Sequence, residues 1–191
     1  MIGLFFGSFN PIHIGHLALA NYFIDNTDIK EIWFVISPQN PLKKKNSLIH
    51  HRFRLEMVNL AIGDFIRFKT CDIEFNLPQP SYTINTLQHL KEKYPKKQFS
   101  LILGADNLAT FHKWKNYEEI LKRHRLFVYP RPGYDPGPLV IHQNVTLTDS
   151  PIIEISSSYI RDAIKSGKTP KFFVHPEVWK YIDEMNFYKK R

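Results

Sequence analysis

Short apolar runs, each cut off by turn residues and followed by a stretch of helical period, recur along this chain. That alternation limits the fold more than any other feature of it. The runs cover residues 2–6, Glu31–Ile36, 65–73, 99–103 and 125–129, with short candidates at Val145–Leu147 and 152–155. Runs apolar on both faces belong in parallel sheets, whose strands are buried beneath helices on each side. The helical stretches cover 16–24, 52–62, Thr83–Lys93, two short pieces reaching Leu121, a segment from Ser156 onward and a last one over 176–185. Pro176 suits the first turn of that last helix. The pattern predicts an α/β fold: a Rossmann-like doubly wound parallel sheet with helices on both faces. A chain of 191 residues predicts a single domain over 1–191. Right-handed crossovers then gather the functional loops at the carboxyl ends of the strands.

Composition narrows the function classes. Hydrophobic residues make up 43% of the chain, enough for a packed core rather than disorder. The single cysteine, Cys71, excludes an internal disulfide framework and a Cys-based zinc cluster. No apolar run approaches the ~20 residues that span a bilayer. The start lacks a basic leader, so the expectation is a cytoplasmic protein with no membrane partner. The formal charge of +8 invites an anionic ligand. A nucleic-acid-binding module would add a basic stripe interleaved with aromatics or a known reading motif, and the chain has neither.

The strongest local signal is Gly7-Ser8-Phe9-Asn10-Pro11-Ile12-His13-Ile14-Gly15-His16, set between the first strand and the first helix. Gly7 allows backbone to come close to a ligand, and Pro11 stiffens the turn. His13 and His16, three apart, share a face of the first helical turn. A helix start collects anions through its free N–H groups and dipole, and two donor imidazoles there suit a triphosphate. The segment is not a P-loop, because no Gly-Lys-Ser/Thr follows. Zinc would need a third or fourth ligand, and no other His/Cys cluster supplies one. A second phosphate signal is Ile155-Ser156-Ser157-Ser158-Tyr159-Ile160-Arg161, opening a later helix. Its serines can cap free N–H groups, and Arg161 lies one turn in, able to clamp phosphate oxygens.

Together these segments resemble the HxGH nucleotidyltransferase superfamily. The first is similar to its T/H-x-G-H signature, and the second to the Ile-Ser-Ser-Thr/Ser-x-x-Arg signature of its adenylyltransferases. Class I aminoacyl-tRNA synthetases share His-Ile-Gly-His, but this chain is short and carries no Lys-Met-Ser-Lys-Ser type loop. The middle of the chain, Ser81-Tyr82-Thr83-Ile84-Asn85-Thr86-Leu87 and Gly104-Ala105-Asp106-Asn107-Leu108 with Phe111-His112-Lys113-Trp114, resembles the bacterial nicotinate-nucleotide adenylyltransferases. Asn85 stands where that family usually has Asp, and Leu42 where it has His.

The resemblance implies ATP and nicotinate mononucleotide as substrates, with Mg²⁺ on the ATP phosphates and no metal ligand from the protein. It implies His16 and His13 as catalytic groups, with Gly7, Ser8, Phe9, Ser157, Ser158 and Arg161 also on the ATP side. On the acceptor side it implies Lys43, Thr83, Gly104, Asp106 and Trp114. Residue chemistry agrees: Asp106 can accept from ribose hydroxyls, Trp114 offers a face to a pyridinium ring, and Thr83 offers a hydroxyl and N–H to a carboxylate. The same chemistry on nicotinamide mononucleotide is the alternative. Arg54 reads as an arginine snorkelling over apolar neighbours. A homo-oligomer is compatible with all of this.

Overall fold

The computed structural model describes residues 1–38 and 48–190. Among them, six strands form one sheet: β1 (Ile2–Gly7), β2 (Glu31–Ile36), β3 (Phe68–Cys71), β4 (Phe99–Gly104), β5 (Leu126–Tyr129) and β6 (Val145–Leu147). The spatial order is β3-β2-β1-β4-β5-β6. Every neighbouring pair is parallel, with Phe5 beside Phe34 and Ile102, and Leu101 beside Leu126. The expected doubly wound sheet is therefore present.

Strand periodicity divides the core in two. Phe5, Phe34, Ile102 and Phe127 point to one face; Leu4, Trp33, Leu101 and Leu126 point to the other. The first face is covered by α1 (Ile14–Asn26), α2 (His51–Ile62), α6 (Ser157–Lys165) and α7 (Pro176–Glu184). The second is covered by α3 (Thr83–Lys93), α4 (Ala105–Ala109) and α5 (Tyr117–Arg123). Because the central strands β1, β2, β4 and β5 are sandwiched, both of their faces are mainly apolar and the sequence shows a run instead of a period, whereas the edge strands β3 and β6 keep exposed residues such as Lys69 and Thr146. Burying each large side chain in such a core contributes about 1.5–3 kcal/mol.

Helix ends follow local chemistry. Ser156 caps α6 by accepting the Tyr159 N–H at 3.2 Å, and His175 caps α7 through Nδ1, with Pro176 in the first turn. Gly63, at φ +50°, supplies the left-handed residue that stops α2.

Two expected elements change. Residues 152–155 are not a strand: the segment runs without sheet pairing into the α6 cap. The stretch 65–73 contributes only Phe68–Cys71 to the sheet and then tightens into a 3₁₀ turn over Ile73–Asn76.

The order of strand placement reverses at β1: β2 lies on one side of it and β4 on the other. Crevices in parallel sheets form at that switch, outside the carboxyl ends of the strands. Gly7 ends β1 and Gly104 ends β4, so both glycines stand at its mouth.

Candidate active site

The turn after β1 is built around a buried aromatic. A Cβ on Gly7 would lie 2.7 Å from Phe9 Cζ, so only glycine lets the Phe9 ring fold under the strand end. Phe9 adopts φ +42° and is 1% exposed, its ring edge-on to Phe5, Phe34 and His16. The Phe9 side chain is therefore core, and what the residue offers to the crevice is its backbone.

His13 is the N-cap of α1, and its ring stacks on His16 with centroids 3.7 Å apart. The His13 backbone N–H donates to His16 Nδ1 at 3.2 Å. With Nδ1 accepting, a neutral His16 carries its proton on Nε2. Gly15 has its own reason: a Cβ there would meet Ile153 Cγ2 at 2.9 Å, so glycine lets the segment before α6 pass over the start of α1.

Burial, reinforced by the Arg131 charge, pushes the His13 pKa down from 6.5 to about 3. His13 is therefore a neutral ring at physiological pH, and donates through one nitrogen instead of as a cation. Its Nδ1 is buried and has no hydrogen-bond partner among the described residues. A stability signature follows. Between pH 6.5 and about 3 the unfolded chain takes up a proton at this histidine and the folded one does not. His13 thus makes the fold lose stability as pH falls through that window. Thermal melts from pH 7 to 4 should show a shallower decline for His13→Gln than for the wild type; an equal slope would acquit His13.

The second motif reaches the first directly. Ser157 Oγ donates to the Pro11 carbonyl at 2.8 Å, and Arg161 Nη1 donates to the Asn10 carbonyl at 2.8 Å. Arg161 Nη2 also donates to Ser158 Oγ at 3.2 Å. The starts of α1 and α6 are thereby brought side by side, with their positive dipole ends close together, an arrangement suited to an anion.

Arg54 departs from the expectation. It does not snorkel: it is 0% exposed, and its guanidinium donates to the carbonyls of Ser8, Ser37 (2.8 Å), Pro38 (3.0 Å) and Ile49 (3.0 Å). One side chain thus ties the turn after β1 to the chain leaving β2 and to the entry of α2. Burial lowers its pKa to about 10, which still leaves it charged at neutral pH.

At the end of β1 lies a cavity of about 340 Å³, lined in part by Gly7, Thr83, Gly104 and Trp114. Those four expected residues, spread over three segments of the sequence, share one wall-to-wall space. Thr83 is the first residue of α3, so the start of a third helix faces this cavity. Trp114 packs on Phe111 with centroids 4.9 Å apart, and its indole N–H has no hydrogen-bond partner among the described residues. Asp106 sits against Gly104, where a Cβ would strike its carboxylate, and lies 3.7 Å from Arg131 Nε. Lys43 lies outside the described residues.

Several residues at this site carried no sequence signal. Glu74 is buried at the cavity wall and accepts hydrogen bonds from Ser81 Oγ at 2.8 Å and Thr86 Oγ1 at 2.7 Å. Burial raises its pKa against those hydroxyls and that of Ser37. Glu74 thereby pins both sides of the Ser81-Tyr82-Thr83 segment. Lys115 lies 4.8 Å from the centre of the Tyr82 ring at the same cavity. Arg131, inside the Pro/Gly-rich loop, connects His13, Asp106 and Tyr129 electrostatically.

Known proteins resemble this chain in sequence and fold. The cytidylyltransferase-like family model matches residues 4–163. A protein of Flavobacterium johnsoniae, named a probable nicotinate-nucleotide adenylyltransferase, is 53% identical over 191 residues, covering 99% of each chain. One of Bacteroides thetaiotaomicron with the same name is 48% identical over 182 residues, covering 95% of this chain and 90% of its own. The solved Plasmodium falciparum nicotinic acid mononucleotide adenylyltransferase complexed with NaAD superposes with a TM-score of 0.81. At 24% identity over 98% of this chain and 96% of that one, it shares the fold. By the extent of the family match and the identity to full-length relatives, this chain belongs to the cytidylyltransferase-like family and, within it, to the nicotinate-nucleotide adenylyltransferases.

Proposed function

We propose that the chain joins nicotinate mononucleotide to the adenylyl group of ATP, giving nicotinate adenine dinucleotide and pyrophosphate, a step of NAD biosynthesis. The observation that carries this reading is the joining of the α1 and α6 starts by Arg161 and Ser157, alongside a cavity sized for a mononucleotide base.

The acceptor's 5′-phosphate is an anion at neutral pH and attacks the α-phosphorus of ATP without a general base. The bond from that phosphorus to the bridging oxygen breaks in line, and pyrophosphate leaves. The protein's work is alignment and charge neutralisation. His16, its proton held on Nε2 by the contact at Nδ1, donates to the α-phosphate as charge builds there. Gly7 and Ser8 offer backbone; His13, Ser157, Ser158 and Arg161 hold the β- and γ-phosphates. Arg161 keeps its Asn10 contact through Nη1 and has further N–H groups to turn to phosphate oxygens.

Among the described residues no three His, Cys, Asp or Glu side chains converge as metal ligands. Mg²⁺ brought in with ATP would neutralise triphosphate charge beside His13, Ser157, Ser158 and Arg161. Trp114 stacks on the pyridinium ring, the start of α3 at Thr83 receives the nicotinate carboxylate, Asp106 and Gly104 take the ribose, and Lys43 takes the acceptor phosphate. One domain over 1–191 supplies the whole site. The buried Cys71 thiol, pushed up to about 11 by burial, fits a cytoplasmic setting in which it stays reduced.

Pyrophosphate release from ATP, measured with each mononucleotide separately, tests the reading. The nicotinate form should turn over at least about tenfold faster, the order expected when a site built for a charged group loses it. Equal rates would remove the acid preference, and no release with either would remove the reading.

A further inference from the structure

We propose that Tyr188, in the tail after α7, is a positioning residue for the ATP site, acting through Asn10 of the turn after β1. The proposal rests on the ATP-dependent reading above. The tail lies beyond residues 4–163 that the family model matches, and neither phosphate motif includes it.

After α7 ends at Glu184, Asn186 and Tyr188 take left-handed conformations at φ +53° and +65°, which turn the chain back toward the sheet. Phe187 wedges between Phe53 of α2 and Tyr181 of α7, with ring centroids at 5.2 and 5.7 Å. That wedge delivers the Tyr188 hydroxyl inward. It donates to Asn10 Oδ1 at 2.8 Å. Burial raises the phenol pKa, so the group stays protonated and serves as a donor.

Asn10 is a junction. It is 1% exposed; Oδ1 also lies 3.5 Å from the Ile49 N–H, and its carbonyl receives Arg161 Nη1 at 2.8 Å. The next carbonyl, of Pro11, receives Ser157. Tyr188 therefore fixes the side chain of the residue whose backbone orients the α6 arginine, and three residues further on stands His13. A hydroxyl that served packing alone could face any neighbouring carbonyl of the core. This one ends on the turn that joins the two phosphate motifs, with the Arg54 and Arg161 charges both close enough to act on it.

Tyr188→Phe keeps the ring and removes only the donor. The KM for ATP should rise about 3- to 10-fold, the scale of one buried hydrogen bond. The KM for nicotinate mononucleotide should stay within about twofold, and the thermal midpoint within about 3 °C. Asn10→Ala should raise the ATP KM as well, and adding Tyr188→Phe to it should produce no further rise. An unchanged ATP KM in the folded variant, equal rises in both KM values, or additive effects in the double variant would each overturn the proposal. Wild-type protein that releases no pyrophosphate removes the underlying reading and the proposal with it. An active wild type with an indifferent Tyr188→Phe removes the proposal alone.

Discussion

Replacing His16 by alanine is expected to lower kcat by about two orders of magnitude or more, the loss seen when a donor to developing negative charge is removed. The geometry makes the imidazole hard to replace. Its Nδ1 is held by the His13 N–H, its face by the His13 ring 3.7 Å away, and its edges by Phe5 and Phe9 at 6.0 and 5.1 Å. Ring position and tautomer are therefore set before substrate arrives, which is the condition for a donor to act without reorganisation cost in the transition state. Burial leaves His13 neutral, so it cannot stand in as a cationic donor. Stability should change far less than rate, because His16 is half-buried and the Phe5–Phe9–Phe34 cluster beneath it remains. Steady-state kinetics with both substrates saturating, alongside a thermal melt, decide the matter. Turnover within about threefold of wild type in a folded variant would take His16 out of the chemistry.

The legible parts of this molecule were those encoded locally. Strands such as 2–7 and 99–104 announce themselves because both faces are buried, so apolar residues of both faces crowd into one short stretch. The first motif proposed for phosphate was legible because a strand end, a Gly/Pro turn and a helix start are contiguous in sequence, the second only as a serine-rich helix start. Residues 152–155 misled for the same local reason. Three of the four, Ile152, Ile153 and Ile155, are β-branched and apolar as in a strand, yet Ile153 is spent packing over Gly15 rather than pairing in the sheet. Glu74, Arg131 and Tyr188 could not be found this way, since each acts on partners fixed only by tertiary structure; Tyr188 and Asn10 are 178 positions apart. The charge of +8 was a similarly coarse guide. Arg54, Arg131 and Arg161 are woven into the site, while the rest of the surplus is a long-range field that steers anionic substrates and that salt screens.

Arg54 is the residue whose reading changed most, and its replacement should be the most destabilising of the substitutions considered. Arg54→Met removes a buried charge, which alone would favour the fold, since burial depresses the Arg54 pKa to about 10. Against that gain stand four carbonyls, of Ser8, Ser37, Pro38 and Ile49, that lose their donor at once in a region the methionine keeps dry. At roughly 1–3 kcal/mol for each buried group left unpaired, the carbonyls outweigh the charge, and a net loss of about 3–5 kcal/mol is expected. The thermal midpoint should drop by roughly 10 °C for a chain of this size. Arg54→Lys separates the two contributions: it restores a positive charge but offers a compact ammonium that cannot span carbonyls on three segments. It should recover only part of the stability, and less of the activity, because the turn after β1 and the chain leaving β2 are no longer tied through one rigid fork. Arg54→Lys matching the wild type in both midpoint and kcat would mean that charge alone matters at this position. Arg54→Met melting within about 2 °C of wild type would mean that the four carbonyls find water, and that the site's two halves are held together by something other than this side chain.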